Sequence, residues 1–200
     1  MSAVNPSQAN GGTVDLPPFS LDVQALDLGE GIKSVGMELL GTESREPVRG
    51  AEAAEIWAAA LQGLCGNEPF VLDFFSHIER VTAFCEMQEI AFREATGRCI
   101  VLTQPDEQQV RKLFERFEAE TFGMRAGAAA QNPDSDLEEA LSHRGLDAYQ
   151  AAYARYTFCA VCEPEDGWIT VLSNTLWTSE VIRRVRPAVQ AFDIHIARPQ

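Results

Sequence analysis

"YTFCAVCEPEDGWITVLSN", residues 156–174, decides the fold class. Two runs rich in aromatic and β-branched residues flank Glu165-Asp166-Gly167, a turn signal that joins antiparallel strands. The stretch therefore reads as a β-hairpin. It also holds the one Cys-x-x-Cys of the chain, Cys159 and Cys162. Side chains of a strand alternate between faces, so two residues three apart point in opposite directions. A regular strand here would keep the two sulfurs from sharing a metal. A structural zinc also wants its paired cysteines on a tight turn and two further ligands, whereas Ala160-Val161 favours extension and no second such pair exists. Cys65, Cys85 and Cys99 fall in separate elements with no paired spacing. A thioredoxin-like pair would lie where a strand feeds a helix N-terminus, and this one runs into Glu163-Pro164. The expectation is two packing cysteines, with no metal and no cofactor; a bulge or a strand end before Cys162 would reopen the question.

Downstream of the hairpin, Thr178 can cap a helix over "SEVIRRVR" that stops before Pro187, and "AFDIHIARP" closes the chain as a strand. Upstream, "RCIVLTQ" is a short strand, and "PDEQQVRKLFERFEAETFG" sets Val110, Leu113, Phe114 and Phe117 on one helical face. "MRAGAAAQNPDSD" reads as a connection. Ser135 and Glu138 then have capping-box spacing and open helical material to about Arg155, broken near Gly145. With that inserted stretch set aside, residues ~98–197 read β-α-β-β-α-β. This is the order of a ferredoxin-like split β-α-β sandwich, so the expected class is α+β. Element order alone carries no function.

The N-terminal half adds a polar arm over residues 1–20 and a hairpin of Leu21–Leu28 and Ile32–Leu40 joined at Gly29-Glu30-Gly31. "AEAAEIWAAALQGLCG" places Ala53, Ile56, Trp57, Ala60, Leu61 and Leu64 on one helical face and ends at Gly66. Asn67 can cap the next segment, with Pro69 in its first turn; from Phe70, the residues Val71, Phe74, Phe75, Ile78, Val81, Thr82 and Cys85 keep helical spacing and a more polar continuation reaches Gly97, predicting one long helix or two with a bend. Residues 21–200 are read as a single α+β domain, with 21–66 as a separate subdomain the alternative.

The chain's 200 residues suffice to bury a core without disulfide or metal staples. No apolar run approaches the ~20 residues of a membrane span, and the N-terminus lacks the basic start and apolar core of a signal peptide. Five scattered cysteines suit a reducing compartment. The expected location is cytoplasmic. A net charge of -14 argues against nucleic acid and anionic membranes as partners, because both require a basic surface.

Three histidines are candidates for chemistry. His77 follows Asp73 by four residues, a helical spacing at which the carboxylate could orient the ring as a general base or ligand. No second ligand follows at i+3 or i+4, and Glu79 and Arg80 suggest a face turned to water. His143 sits near the expected helix break. His195 alternates with Phe192, Ile194 and Ile196, which puts it with Asp193 on the sheet face opposite the apolar residues, beside Thr170 or Ile169 from neighbouring strands. Such a face is either an active-site floor or a solvated surface. Glu86, Glu89 and Glu94 read as a solvated helix face, since a di-metal bundle needs Glu-x-x-His pairs that this chain lacks. There is no nucleophile elbow, P-loop or dinucleotide glycine motif.

Arg183, Arg184 and Arg186, with Arg198 near the chain end, concentrate positive charge against the global balance. They suit an anionic ligand or an acidic patch of a partner, or they complement the dipole in the last turns of their helix. Trp177, just before them, is the nearest aromatic that would strengthen a docking role. The function these features imply is a non-catalytic cytoplasmic protein that binds a protein partner or self-associates, in regulation or assembly. The alternative is a small-molecule enzyme or ligand sensor with a pocket between sheet and helices, using His77 or His195.

Overall fold

The computed structural model describes residues 18–28, 33–66, 68–74, 78–94, 99–102, 106–117, 119–127, 156–173 and 175–197. The helical material expected from Ser135 to Arg155, including His143, lies outside these residues, as do His77, Arg198 and most of the N-terminal arm. Strands β1 (Phe19–Asp27), β2 (Lys33–Gly41), β3 (Phe70–Phe74), β4 (Arg93–Glu94), β5 (Cys99–Leu102), β6 (Phe122–Ala126), β7 (Phe158–Glu163), β8 (Trp168–Leu172) and β9 (Ile194–Ala197) form one sheet. Its order is β4-β5-β3-β6-β7-β8-β2-β1-β9. The β1–β9 pair is parallel and the rest are antiparallel, so the fold is α+β with a mixed sheet. Among the described residues the helices are α1 (Gly50–Cys65), α2 (Ile78–Met87), α3 (Glu107–Arg116) and α4 (Thr178–Val189).

The expected β-α-β-β-α-β order is not met: the order is β5-α3-β6-β7-β8-α4-β9, with β6 an added strand where Phe122–Gly123 reads as helix and Met124–Ala126 as connection, and the strand neighbours are not those of a four-stranded ferredoxin-like sheet. β3 lies between β5 and β6, and β2 with β1 lies between β8 and β9. The N-terminal hairpin thus pairs directly with the hairpin that set the fold class, through Val35–Val171 and Met37–Ile169.

The second correction concerns Phe70. Its run was expected to be helical, yet Phe70–Phe74 is an inner strand hydrogen-bonded on both sides, and α2 begins only at Ile78. Phe70, Val71 and Leu72 are all buried, so both faces of β3 are covered and no polar alternation marks it, and a short continuous apolar run fits both periods. Arg93–Glu94 is likewise a strand rather than the tail of a helix.

Three helices cover one face of the sheet, with α1 between α3 and α4. Every residue of the predicted α1 face is buried, and so are Ala54, Ala58 and Ala59. Small side chains let α1 be enclosed on several sides: a Cβ on Gly63 would come within 2.8 Å of the Arg184 carbonyl oxygen. Gly66 ends α1 at φ 62°, a conformation that suits glycine, with its N–H donating to the Gln62 carbonyl at 2.8 Å. Asp106 starts α3 with a capping box: its carboxylate accepts from the Gln109 N–H at 2.8 Å. The α4 helix departs from expectation at both ends. Trp177 occupies the N-cap position with no side-chain cap, and the helix continues through Pro187 to Val189.

Candidate functional site

The β7 strand is regular from Phe158 to Glu163, and its two cysteines part as the alternation requires. Cys162, set opposite Phe122 and Ile169, joins the helix-covered core. Cys159 stands on the other face between Arg125 and Leu172 in the register. Both are fully buried. Burial pushes the Cys159 thiol up to about 12, offset in part by the Arg125 charge, and Cys85 up to about 11. Burial raises Cys65 and Cys162 further still. A thiol held protonated is a poor nucleophile and a poor ligand. No group of three or more His, Cys, Asp or Glu positioned for a metal occurs among the described residues.

The histidine candidates also change meaning. Asp73 lies in strand β3, not on a helix, so the helical spacing that singled out His77 does not apply to it, and His77 lies outside the described residues. His195 lies on β9, which pairs with β1 rather than β8, so its cross-strand neighbour is Ser20, not Thr170 or Ile169. Sequence reasoning missed the cluster this creates. The buried Ser20 hydroxyl donates to Asp22, whose other carboxylate oxygen accepts from Arg45 at 2.7 Å. Burial works to raise the Asp22 carboxyl, but the hydrogen bonds from Ser20 and Arg45, with the Arg45 charge, hold it below the usual aspartate range. Ser, His and Asp are all present, yet serine is bonded straight to the carboxylate. An activated serine needs the imidazole between them. The arrangement ties β1 to the Arg45 turn.

The arginines divide. Glu180 takes Arg183 at 2.7 and 2.8 Å and Arg184 at 2.9 Å, and Arg184 also donates to the Leu64 carbonyl at 3.1 Å. Those bonds, first from Arg183 and then Arg184, bring the Glu180 carboxyl down to about 2. Both guanidinium groups are therefore engaged within the chain, in the middle of α4 rather than its last turns. Arg186 alone occupies the last turn.

An exposed aromatic side chain lies at the start of α4. Trp177 is 55% exposed. The turn before it is fixed by buried Ser173, whose hydroxyl donates to the Thr157 carbonyl at 2.6 Å and accepts from the N–H groups of Thr175 at 3.1 Å and Leu176 at 3.0 Å. Leu176 is buried as an anchor, which leaves the next residue facing outward. The Lys33 ammonium, from the first residue of β2, sits 4.3 Å from the centre of the Trp177 ring, a cation–π contact. Beside them lies a hollow of about 280 Å³, lined by Leu26, Val35 and Leu176 among others. A signal for this patch was present in the sequence, in a tryptophan preceding a polar helix start, but Lys33 lies 144 positions away, as 177 minus 33, and no local pattern links the two.

Comparison with protein-family models, with curated proteins and with solved structures finds no match.

Proposed function

We propose that this chain is a non-catalytic protein that binds a protein partner through the surface around Trp177. The observation carrying this reading is a half-exposed tryptophan, held in a defined turn and bordered by an apolar hollow and a lysine. Tryptophan is among the residues most enriched at interface hot spots, where it is seated against a pocket of the contact. The partner would seat an apolar side chain against Leu26, Val35 and Leu176 and present an acidic group to Lys33. Cytoplasmic action is favoured by four cysteines that are free thiols. The reading takes residues 21–200 as one unit, supported by the pairing of β2 with β8.

Capture experiments test it. Wild-type chain and a Trp177→Ala variant serve as baits in a lysate of the source organism, and bound proteins are quantified by mass spectrometry. A protein retained by wild type and lost from the variant is the expected result; an unchanged set of bound proteins would remove this surface from the account.

A further inference from the structure

The two ends of the sheet are built differently. β4, at one end, has two residues, Arg93 and Glu94, both exposed. A very short, charged terminal strand resists pairing with another chain. β9, at the other end, has four residues, Ile-His-Ile-Ala, and carries no Asp, Glu, Lys or Arg. By the same reasoning, among the described residues it is the end left able to pair.

Beside β9 lies a hollow of about 420 Å³, lined by Asp193, Ile194, His195 and Ile196 and, from α4, by Arg186 and Val189. Ile194, His195 and Ile196 alternate between the faces of β9, so a hollow lined by all three runs along the strand's edge. Ile194 and Ile196 are half-buried against the core, while His195 is exposed. Arg186 and Asp193 form no ion pair with each other or with other described residues. Arg186 in the last turn of α4 and Asp193 just before β9 thus line one hollow from two elements. A surface that carries one unpaired charge of each sign is complementary to a copy of itself.

We propose that two copies of this chain pair β9 against β9, antiparallel across a twofold axis, to continue the sheet through both. In an antiparallel ladder facing residues share a face, and bonded and non-bonded pairs alternate, so a twofold axis must set one residue opposite its own copy. Centring on His195 places Ile194 opposite Ile196 of the second copy, extending the apolar layer under the helices. Asp193 then stands opposite position 197 of the second copy, and the Arg186 and Asp193 of each hollow meet those of the other across the axis. Each copy supplies the charge the other lacks, twice over, which is why a second copy fits better than an unrelated extended segment. Four residues a side is a small contact, so the dimer is reversible. It uses residues other than Trp177 and Lys33 and stands independently of the partner-binding reading.

Sedimentation velocity on the full chain over a concentration series tests this. Wild type is expected to shift from monomer to dimer as concentration rises. Arg186→Asp or Asp193→Arg alone should weaken the dimer by about tenfold or more, and the double reversal should restore it. His195→Asp, which sets like charges opposite one another, should abolish it. Trp177→Ala should leave it unchanged. These side chains are exposed, and circular dichroism verifies that each variant is folded. A chain that stays monomeric at every concentration, a dimer indifferent to the single reversals, or one not restored by the double reversal would overturn the proposal. So would an unrelated extended peptide found in the β9 groove of a monomeric chain.

Discussion

The centre of the sheet and its α4–β9 end treat reactive side chains in opposite ways. At β7, two thiols in a familiar spacing are sealed on opposite faces, and the surrounding apolar layer raises their pKa values. At the α4–β9 end, Trp177, Arg186 and His195 match no motif of metal or redox chemistry and Lys33 gave no signal, yet they border the open hollows. Residue type and interval pointed to the first region, whereas exposure and unspent bonding capacity point to the second. A side chain that packing has already satisfied has little left with which to recognise a ligand.

The sharpest way to break this contrast is thiol labelling. Iodoacetamide at neutral pH is expected to modify Cys65, Cys85, Cys159 and Cys162 at least about a hundredfold more slowly in the folded chain than in denaturant, read by peptide mass spectrometry. Burial lowers the thiolate fraction and blocks access together. Rapid native labelling of Cys159 would restore the centre as a site of chemistry. The raised thiol values also fix a sign: their contribution to stability is fully present below the unfolded thiol value near 9 and is lost as pH rises through the folded values, about 11 for Cys85 and about 12 for Cys159.

Next in size is Ser173→Ala. It leaves the N–H groups of Thr175 and Leu176 without their acceptor, and urea unfolding should show a loss of about 1–3 kcal/mol. If the turn positions Trp177, its fluorescence should also become more solvent-exposed. A variant with wild-type stability and emission would mean that the tryptophan is placed by something else.

The smallest effect is in acid. Asp22 and Glu180 both titrate below their ordinary values, so their contribution is present above about 4 and is lost as pH falls through the folded values, which for Glu180 is about 2. Asp22→Asn should flatten the fall in melting temperature across that window. An unchanged slope would remove the Ser20–Asp22–Arg45 cluster from the accounting.

Much of the local structure was legible because it rests on local rules. The alternation of Leu21–Leu40, the alanine-rich face ending at Gly66 and the Asp166-Gly167 turn each depend on neighbours in sequence, and each element formed where expected. Phe70–Phe74 misled because a strand bounded by β5 and β6 can be apolar on both faces, and the helical period of α2 begins only four residues later. Sheet order was beyond local reading: the insertion of β3 between β5 and β6, and of the N-terminal hairpin beside β8, depends on non-local pairing. The pairing of Arg183 and Arg184 with Glu180 was available in principle, since i,i+3 and i,i+4 partners share a helix face. The Lys33–Trp177 contact was not, because sheet pairing and the Ser173 turn bring the two together.

The most direct measurement is partner capture by wild-type and Trp177→Ala chains of matched stability. An exposed side chain should change unfolding free energy by no more than about 0.5 kcal/mol, so a folded variant isolates recognition from folding. Loss of a stoichiometric protein partner, with the melting temperature unchanged, is the result predicted. Full retention of that partner by the folded variant would contradict the account.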